Sequence, residues 1–123
     1  MIMQPSPFGD KARWISENDL AFAVRDGFPI SKGHTLILPR RNVSNLFDLT
    51  EEEILACWEL IQHEKTCLDA QYAPHGYNVG VNVEPAGGQS VSHAHIHLIP
   101  RYYGDHPSPR GGVRAVIPGK QNY

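Results

Sequence analysis

Residues 87–100 of the chain read GGQSVSHAHIHLIP, a run in which His93, His95 and His97 alternate with small or apolar residues. This alternation predicts a β-strand over residues 91–99. Because successive side chains of a strand point to opposite faces, we expect all three imidazoles on one face of a sheet. A core role fits one such histidine, but three buried neutral imidazoles would leave too many ring nitrogens needing partners. The run therefore indicates a functional site.

One interpretation of the run is nucleophilic attack on phosphorus. Histidine has an ordinary pKa of about 6.5, so a neutral ring can attack with one nitrogen while the other donates its proton to a fixed acceptor. Phosphoryl transfer also needs donors for the phosphate oxygens. Gly87 and Gly88 would let backbone N–H groups approach a phosphate closely. Gln89 and Ser90 add side-chain donors.

The other interpretation is a metal site, because alternate histidines on a strand can chelate zinc. The outer two, His93 and His97, would stem from Cα atoms about 13 Å apart, which is far for one ion. No Asp or Glu lies within residues 91–99, and His34 is the residue that would complete a site from across the sheet. Both interpretations stay open at this point.

The rest of the pattern predicts an α+β fold, in which a helix packs on an antiparallel sheet. Thr50 with Glu53 three residues later forms a capping box that opens a helix over residues 50–72. The stripe expected to face the sheet comprises Ile54, Leu55, Trp58, Leu60, Ile61, Lys65 and Leu68. Short strands are expected over residues 13–17, 20–24, 33–38 and 77–83, in addition to 91–99. Pro39 and Pro100 should end two of these strands.

Composition and charge exclude several classes of protein. The chain has 123 residues, 41% hydrophobic and 20% charged, which is too apolar for a disordered segment and enough for a buried core. Its formal net charge of −2 argues against nucleic-acid binding. No apolar run approaches the roughly 20 residues that span a bilayer, and no signal-peptide pattern is present. We therefore expect neither a nucleic-acid nor a membrane partner.

The two cysteines and the ends of the chain add further expectations. Cys57 and Cys67 would lie about 15 Å apart along the predicted helix, beyond the roughly 7 Å that a disulfide tolerates. Without a disulfide or a signal, a cytoplasmic location is expected. Residues 1–123 should form one domain, with its core at about 12–105 and an irregular, solvated tail over 106–123.

Residues 88–99 are similar to the signature of the histidine triad (HIT) family of nucleotide hydrolases and transferases. The likeness includes Gly33-His34 and Asp26 and covers about residues 12–105. It implies a HIT-like α+β fold: an antiparallel sheet of about five strands, one long helix, and short helical or irregular segments. It also implies a homodimer that pairs through the helix and a sheet edge.

Two branches of the family share features with this sequence. Residues 97–105 resemble the fragile-histidine branch, which cleaves dinucleoside polyphosphates. Asp26, Asn82 and Ser90 resemble the branch that hydrolyses nucleoside phosphoramidates. Many bacterial relatives carry cysteines near the start that help to bind a structural zinc, whereas residues 7–10 here have none, so no metal is expected.

The resemblance also implies a role for each site residue. His95 would attack the α-phosphorus and become a nucleotidyl-histidine, with its second nitrogen donating to a backbone carbonyl near His93. His97 would bind a phosphate oxygen near the leaving group, and His34 and His93 would form a supporting polar shell. Asp26 would accept both ribose hydroxyls. The implied nucleotide-binding set is Val24, Asp26, Gly27, Leu36, Asn82, Gly88, Gln89 and Ser90.

The sequence thus predicts an enzyme that hydrolyses or transfers a nucleoside monophosphate unit through His95. No cofactor is required, although a divalent metal–nucleotide complex is a possible form of the AMP-containing substrate. Val24 and Leu36 would form the wall behind the base, with plain core packing as their alternative. The competing functions are a zinc-dependent hydrolase built on the histidine strand and a sensor that binds AMP without turnover.

Overall fold

Short strands and one long helix make up most of the regular structure in residues 5–123, the part of the chain that the computed structural model describes. The strands are β1 (Trp14–Glu17), β2 (Ala21–Arg25), β3 (Thr35–Pro39), β4 (Gly76–Val81) and β5 (Ile96–Arg101), and the helix is α1 (Glu51–Tyr72). Short 3₁₀ segments lie at Lys11–Arg13, Leu46–Asp48, Pro85–Gly87 and Gly112–Val116. The predicted fold class is confirmed.

All five strands form one antiparallel sheet in the order β1-β2-β3-β5-β4. The first three strands follow one another as a meander, and β5 lies between β3 and the edge strand β4. On β5, His97 is opposite Leu36 of β3 and Gly80 of β4. The histidine run therefore leads into the interior of the sheet.

The histidine strand is shorter than predicted. It begins at Ile96 instead of residue 91, so that of the three histidines only His97 lies on a strand. Residues 91–93 form bends, residues 94 and 95 have no regular structure, and the N–H of Ala94 donates to the carbonyl oxygen of Val43 in the loop before α1. Because this backbone bonds to a loop, it cannot continue the ladder of β5.

Pro100 does not end β5, which continues to Arg101. Strand β3 pairs with β5 only as far as Leu98, whereas β4 pairs with it as far as Arg101. Pro100 thus lies where β5 has a single neighbour, and the missing N–H is tolerated there as on an edge strand.

Helix α1 begins with the predicted capping box. The Thr50 hydroxyl accepts the N–H of Glu53 at 3.1 Å, and the Glu53 carboxylate accepts the N–H of Thr50 at 2.9 Å.

No helix within residues 5–123 has the length and apolar character needed to cross a membrane.

The buried face of α1 differs from the predicted stripe. Ile54, Leu55 and Trp58 are 42%, 57% and 50% exposed. The buried residues of the helix are Glu53, Ala56, Cys57, Leu60, Ile61, Glu64 and Leu68. The predicted stripe is therefore right for Leu60, Ile61 and Leu68 and wrong for Ile54, Leu55, Trp58 and Lys65. The two glutamates are buried because arginines pair with them, which apolar spacing alone does not indicate.

Side chains pack on both faces of the sheet, and α1 covers one of them. The cluster on the helix face includes Ala21, Ala23, Ile37, Ile96 and Leu98. The cluster on the other face comprises Phe22, Val24, Leu36 and Leu38, with Phe8 and Trp14 against it. Because side chains alternate along β5, His97 projects from the face opposite α1.

Candidate active site

His34 and His97 form a hydrogen-bonded pair on the face opposite α1. Nε2 of His34 lies 2.9 Å from Nδ1 of His97, and Nδ1 of His34 accepts the backbone N–H of Ile30 at 3.2 Å. A neutral imidazole carries one proton, so that of His34 is on Nε2 and is donated to His97. His97 then carries its own proton on Nε2, where it can donate to a ligand.

His95 has the opposite tautomer. Its Nδ1 lies 2.8 Å from the carbonyl oxygen of His93, which can only accept, so Nδ1 carries the proton. Nε2 keeps a lone pair and has no hydrogen-bond partner within residues 5–123. The half-buried ring of His95 lies 5.1 Å from that of His97, measured between centroids. A nucleophilic nitrogen and a donor nitrogen therefore lie side by side.

His93 is buried in the protein and has both ring nitrogens occupied. Nε2 donates to the carbonyl oxygen of Pro39 at 2.7 Å, and Nδ1 accepts the hydroxyl of Ser6 at 2.6 Å. The ring also contacts Phe8 and Phe22 edge-on. The expectation of three imidazoles on one face of a strand is wrong for His93, which precedes β5 and points to the Pro39 carbonyl. Its place beside the carbonyl that accepts from His95 agrees with the supporting role that the resemblance implies. A zinc site made from all three histidines would therefore lack a free nitrogen on His93.

Burial keeps the supporting histidines neutral. It lowers the pKa of His34 and of His93 below the ordinary value, against the opposing influence of Asp26 and of the Pro39 carbonyl respectively. For His97, burial together with the neighbouring His95 and His34 lowers the pKa to about 4. These rings therefore supply hydrogen bonds and no positive charge at neutral pH.

A pocket of about 920 Å³ opens beside the histidines. The site residues that line it as predicted are Asp26, Gly27, His34, Leu36, Asn82, Ser90, His95 and His97. Asp26 is placed by two backbone contacts, because its N–H donates to the carbonyl of His34 at 3.0 Å and its carboxylate accepts the N–H of Phe28 at 2.8 Å.

Val24, Gly88 and Gln89 are not among the lining residues. Val24 is 1% exposed and packs in the core, which was its alternative interpretation. The polar atoms of the Gln89 side chain bond to the backbone of its own loop and of the loop before α1. Its amide nitrogen donates to the carbonyls of Ser44 and Val91, and its oxygen accepts the N–H of Glu84.

The glycine loop is not the backbone cradle that the sequence suggested. The N–H groups of Gly87 and Gln89 donate to the carbonyl of Glu84, and that of Gly88 donates to Pro85. Gly88 has φ +93°, a left-handed conformation that favours glycine, and so turns the chain toward the pocket. From this loop it is Ser90, at its end, that reaches the lining.

The sequence model of the HIT domain family matches residues 9–104 of this chain. The chain belongs to the HIT family. It is 36% identical over 92 residues to AP-4-A phosphorylase of Mycobacterium tuberculosis, a match covering 74% of this chain and 47% of that protein. It is 34% identical over 83 residues to bis(5'-adenosyl)-triphosphatase of Dictyostelium discoideum, covering 68% and 56% respectively.

A solved HIT family structure from Bacillus anthracis has the same fold. Its TM-score is 0.71 at 32% sequence identity, and the match covers 75% of this chain and 65% of that one. The chain spans about half the length of the M. tuberculosis relative.

Part of the pocket comes from the tail, beyond the matched HIT domain. Gly112, Val113, Ala115 and Val116 line it, although the sequence predicted a solvated tail. The apolar residues Val113, Ala115, Val116 and Ile117, which follow two glycines and are interrupted only by Arg114, are the signal that could have indicated this wall. Within the HIT domain, Phe28 and Ile30 also line the pocket, although they are 90% and 73% exposed. Apolar residues just after an Asp-Gly turn are the sequence signal that could have indicated these two.

The tail folds on itself as it crosses the pocket. The Gln121 amide nitrogen donates to the carbonyls of Ser108 and Arg110. The guanidinium groups of Arg110 and Arg114 lie 4.7 and 4.8 Å from the ring centroid of Tyr123. Neither arginine lines the pocket, so these two residues stack on an aromatic ring outside it, and Lys120 does not line the pocket either.

One set of residues in this HIT site has the geometry to hold a metal ion. Asp26, His34 and His97 each offer one ligand atom, and these atoms lie within 4.8 Å of one another. Nε2 of His34 is 3.4 Å from the Asp26 carboxylate. Nε2 of His34 already forms the hydrogen bond to His97, so a metal bound to that nitrogen would break the histidine pair.

Proposed function

We propose that the chain cleaves nucleoside (poly)phosphates or phosphoramidates at the α-phosphorus, through a covalent nucleotidyl-histidine at His95. Membership of the HIT family supports nucleotide hydrolysis or transfer in general. The observation that supports the covalent step is the hydrogen bond from Nδ1 of His95 to the His93 carbonyl, which leaves the Nε2 lone pair at the pocket.

In the proposed reaction, Nε2 of His95 forms a bond to the α-phosphorus while the bond to the leaving group breaks. The positive charge that develops on the ring is stabilised through Nδ1–H by the His93 carbonyl. Nε2–H of His97 hydrogen-bonds to a phosphate oxygen or to the departing atom, and the leaving group takes a proton from solvent as its bond to phosphorus breaks. Water then attacks phosphorus, the bond from phosphorus to Nε2 breaks, and one proton of that water returns to solvent. This releases the nucleoside monophosphate and restores neutral His95.

The other lining residues fit the remaining parts of a nucleotide. The Asp26 carboxylate, 17% exposed, would accept the ribose hydroxyls. Asn82 and Ser90 would donate to the phosphate oxygens. Leu36 and Phe28 would contact the base without hydrogen bonds, so we expect weak selectivity among bases.

The charge of the pocket favours a leaving group without further phosphates. Arg13 is the one Lys or Arg among its lining residues, and the lining histidines His34 and His97 are held neutral. A chain of several phosphates would bring more negative charge than one arginine balances. We therefore expect faster turnover of an adenosine phosphoramidate than of a dinucleoside polyphosphate.

A substrate panel with the His95→Asn variant tests this function. The wild type should release AMP, and acid quenching during turnover should trap protein with the added mass of one nucleotidyl group. His95→Asn should lower kcat by about 10³-fold or more and trap none. His75→Asn, which changes a histidine outside the pocket, is the control and should keep full activity. Retained turnover in His95→Asn would refute the proposal.

The same panel separates the alternative functions. A sensor would bind AMP tightly and consume no substrate. A zinc-dependent hydrolase that uses Asp26, His34 and His97 would contain stoichiometric metal and lose activity with a chelator. The proposed step uses protein groups and water, so a chelator should leave hydrolysis of the phosphoramidate unchanged.

We also propose a homodimer, as the family resemblance implies. Ile54, Leu55 and Trp58 lie exposed on α1, and Val79 is 43% exposed on the edge strand β4. A second copy would cover these apolar side chains and extend the sheet edge. Sedimentation equilibrium should give twice the chain mass, and Trp58→Glu should shift it toward the monomer.

A further inference from the structure

We propose that α1 carries a site for a thiophilic divalent metal, best represented by Zn²⁺, formed by His63, Glu64 and Cys67. One ligand atom from each residue lies within 4.8 Å of the other two. Nε2 of His63 is 3.7 Å from Sγ of Cys67 and 3.9 Å from a carboxylate oxygen of Glu64. The site is independent of the chemistry proposed for His95.

These distances suit a tetrahedral ion. Zinc binds nitrogen at about 2.0–2.1 Å and sulfur at about 2.3 Å, so two such ligands of one tetrahedral ion lie roughly 3.6 Å apart. The His63–Cys67 separation matches that value. The wider gap to Glu64 closes with a small rotation of the His63 ring, whose side chain is 57% exposed. Water would complete the coordination.

The third ligand is held in place before any metal arrives. The Glu64 side chain is 3% exposed, and its Oε2 accepts the hydroxyl of Ser16 at 2.8 Å. Its other oxygen pairs with Arg25 at 3.2 Å. Both partners fix the orientation of the carboxylate, and a neutral hydrogen-bond donor such as the Ser16 hydroxyl supports the affinity of a ligating carboxylate for a metal. They also tie the site on α1 to strand β1 through Ser16.

The chain provides its own control for the thiol. Cys57 lies on the same helix but is 1% exposed and belongs to neither candidate metal cluster of residues 5–123, so its thiol is shielded from an ion in solvent. Burial also raises the pKa of this thiol to about 11. The other candidate metal cluster, Asp26, His34 and His97, contains no sulfur. A spectroscopic signal from thiolate coordination therefore reports on Cys67 once Cys57 is excluded.

Titration of the purified chain with Co²⁺, a spectroscopic substitute for Zn²⁺, tests the site. The wild type should develop a thiolate-to-cobalt absorption band together with the visible bands of tetrahedral cobalt, and Zn²⁺ should abolish both. Cys57→Ser should keep the bands, while Cys67→Ser should lose them. His63→Ala should weaken binding at least tenfold. No thiolate band in the wild type, or a band that survives Cys67→Ser, would overturn the proposal.

A second measurement addresses the positioning role of Ser16. Ser16→Ala should keep the cobalt bands but weaken Zn²⁺ binding by about tenfold, because the carboxylate loses one orienting partner.

Thermal unfolding gives a third test of the site. Zn²⁺ should raise the Tm of the wild type and of Cys57→Ser, but not of Cys67→Ser, since a metal that binds the folded state stabilises it. An equal Tm shift in Cys67→Ser would place the ion elsewhere.

Discussion

Nε2 of His34 lies 2.9 Å from Nδ1 of His97, and this contact sets the proton position on both rings. The N–H of Ile30 occupies the other nitrogen of His34, so the direction of donation runs from His34 to His97. A residue outside the histidine run thus determines that His97 presents a donor to the pocket.

Replacement of His34 should therefore reduce catalysis without removing any group that attacks phosphorus. His34→Phe keeps the approximate size of the ring but cannot donate, and we expect kcat to fall on the order of 10²-fold with KM changed much less. His34→Gln retains an N–H donor and should recover part of the loss. Steady-state kinetics on an adenosine phosphoramidate measure both, and equal kcat values for the two variants would contradict this role.

Stability should decline as the pH falls below about 6.5, before most carboxylates titrate. The folded chain keeps His97 neutral, with its pKa lowered to about 4, whereas the unfolded chain binds a proton near pH 6.5. Protonation therefore favours unfolding, and the free energy of unfolding should drop by about 2 kcal/mol between pH 7 and pH 5 from this group. The lowered pKa values of His34 and His93 act in the same direction.

Urea denaturation at pH 7, 6 and 5 measures that decline. His97→Asn removes the titrating group and should show a smaller drop over the same range, even if it is less stable at pH 7. An equally steep pH dependence in the variant would show that His97 is not responsible.

The cap of α1 offers a test of local stability. Thr50→Ala removes the hydroxyl that accepts the N–H of Glu53, and we expect a loss of about 1 kcal/mol in the free energy of unfolding. Thr66→Ala on the same helix is the matched control, because its hydroxyl bonds only to the Gln62 carbonyl within the turn. That change should stay within about 0.5 kcal/mol of the wild type.

Local signals in the sequence were sufficient to predict the helix, the antiparallel sheet and the chemistry of the histidine run. The Thr50 cap, the alternation before Pro100 and the loop–histidine order depend on residues close in the chain, and these led to the helix, the sheet and His95. The pair formed by His34 and His97 could have been predicted as well, because the sequence places His34 across the sheet from the histidine run.

Contacts between distant segments could not be predicted in the same way. The burial of His93 depends on the Pro39 carbonyl, 54 residues away, and this contact rather than alternation sets the direction of its ring. The rotation of α1 depends on Arg25 meeting Glu64, which makes a charged position part of the buried face. The return of Val113, Ala115 and Val116 to the pocket likewise brings them beside residues far away in the chain, such as Asn78 and Val79, and apolar character alone did not indicate those neighbours.

The wall formed by the tail can be tested with two glycines that differ in one respect. Gly111 and Gly119 have φ of +88° and +76°, so alanine is strained at both. A Cβ on Gly111 would lie 2.0 Å from the carbonyl oxygen of Gln121, whereas one on Gly119 meets no atom within 4 Å. Gly111→Ala must therefore separate residue 111 from Gln121, and we expect this to shift the lining residues that directly follow it. KM for the nucleotide should then rise several-fold with little change in kcat. Gly119→Ala should keep KM within about twofold, because similar strain arises there without the collision. Similar KM values for both variants would mean that the tail does not contact the substrate.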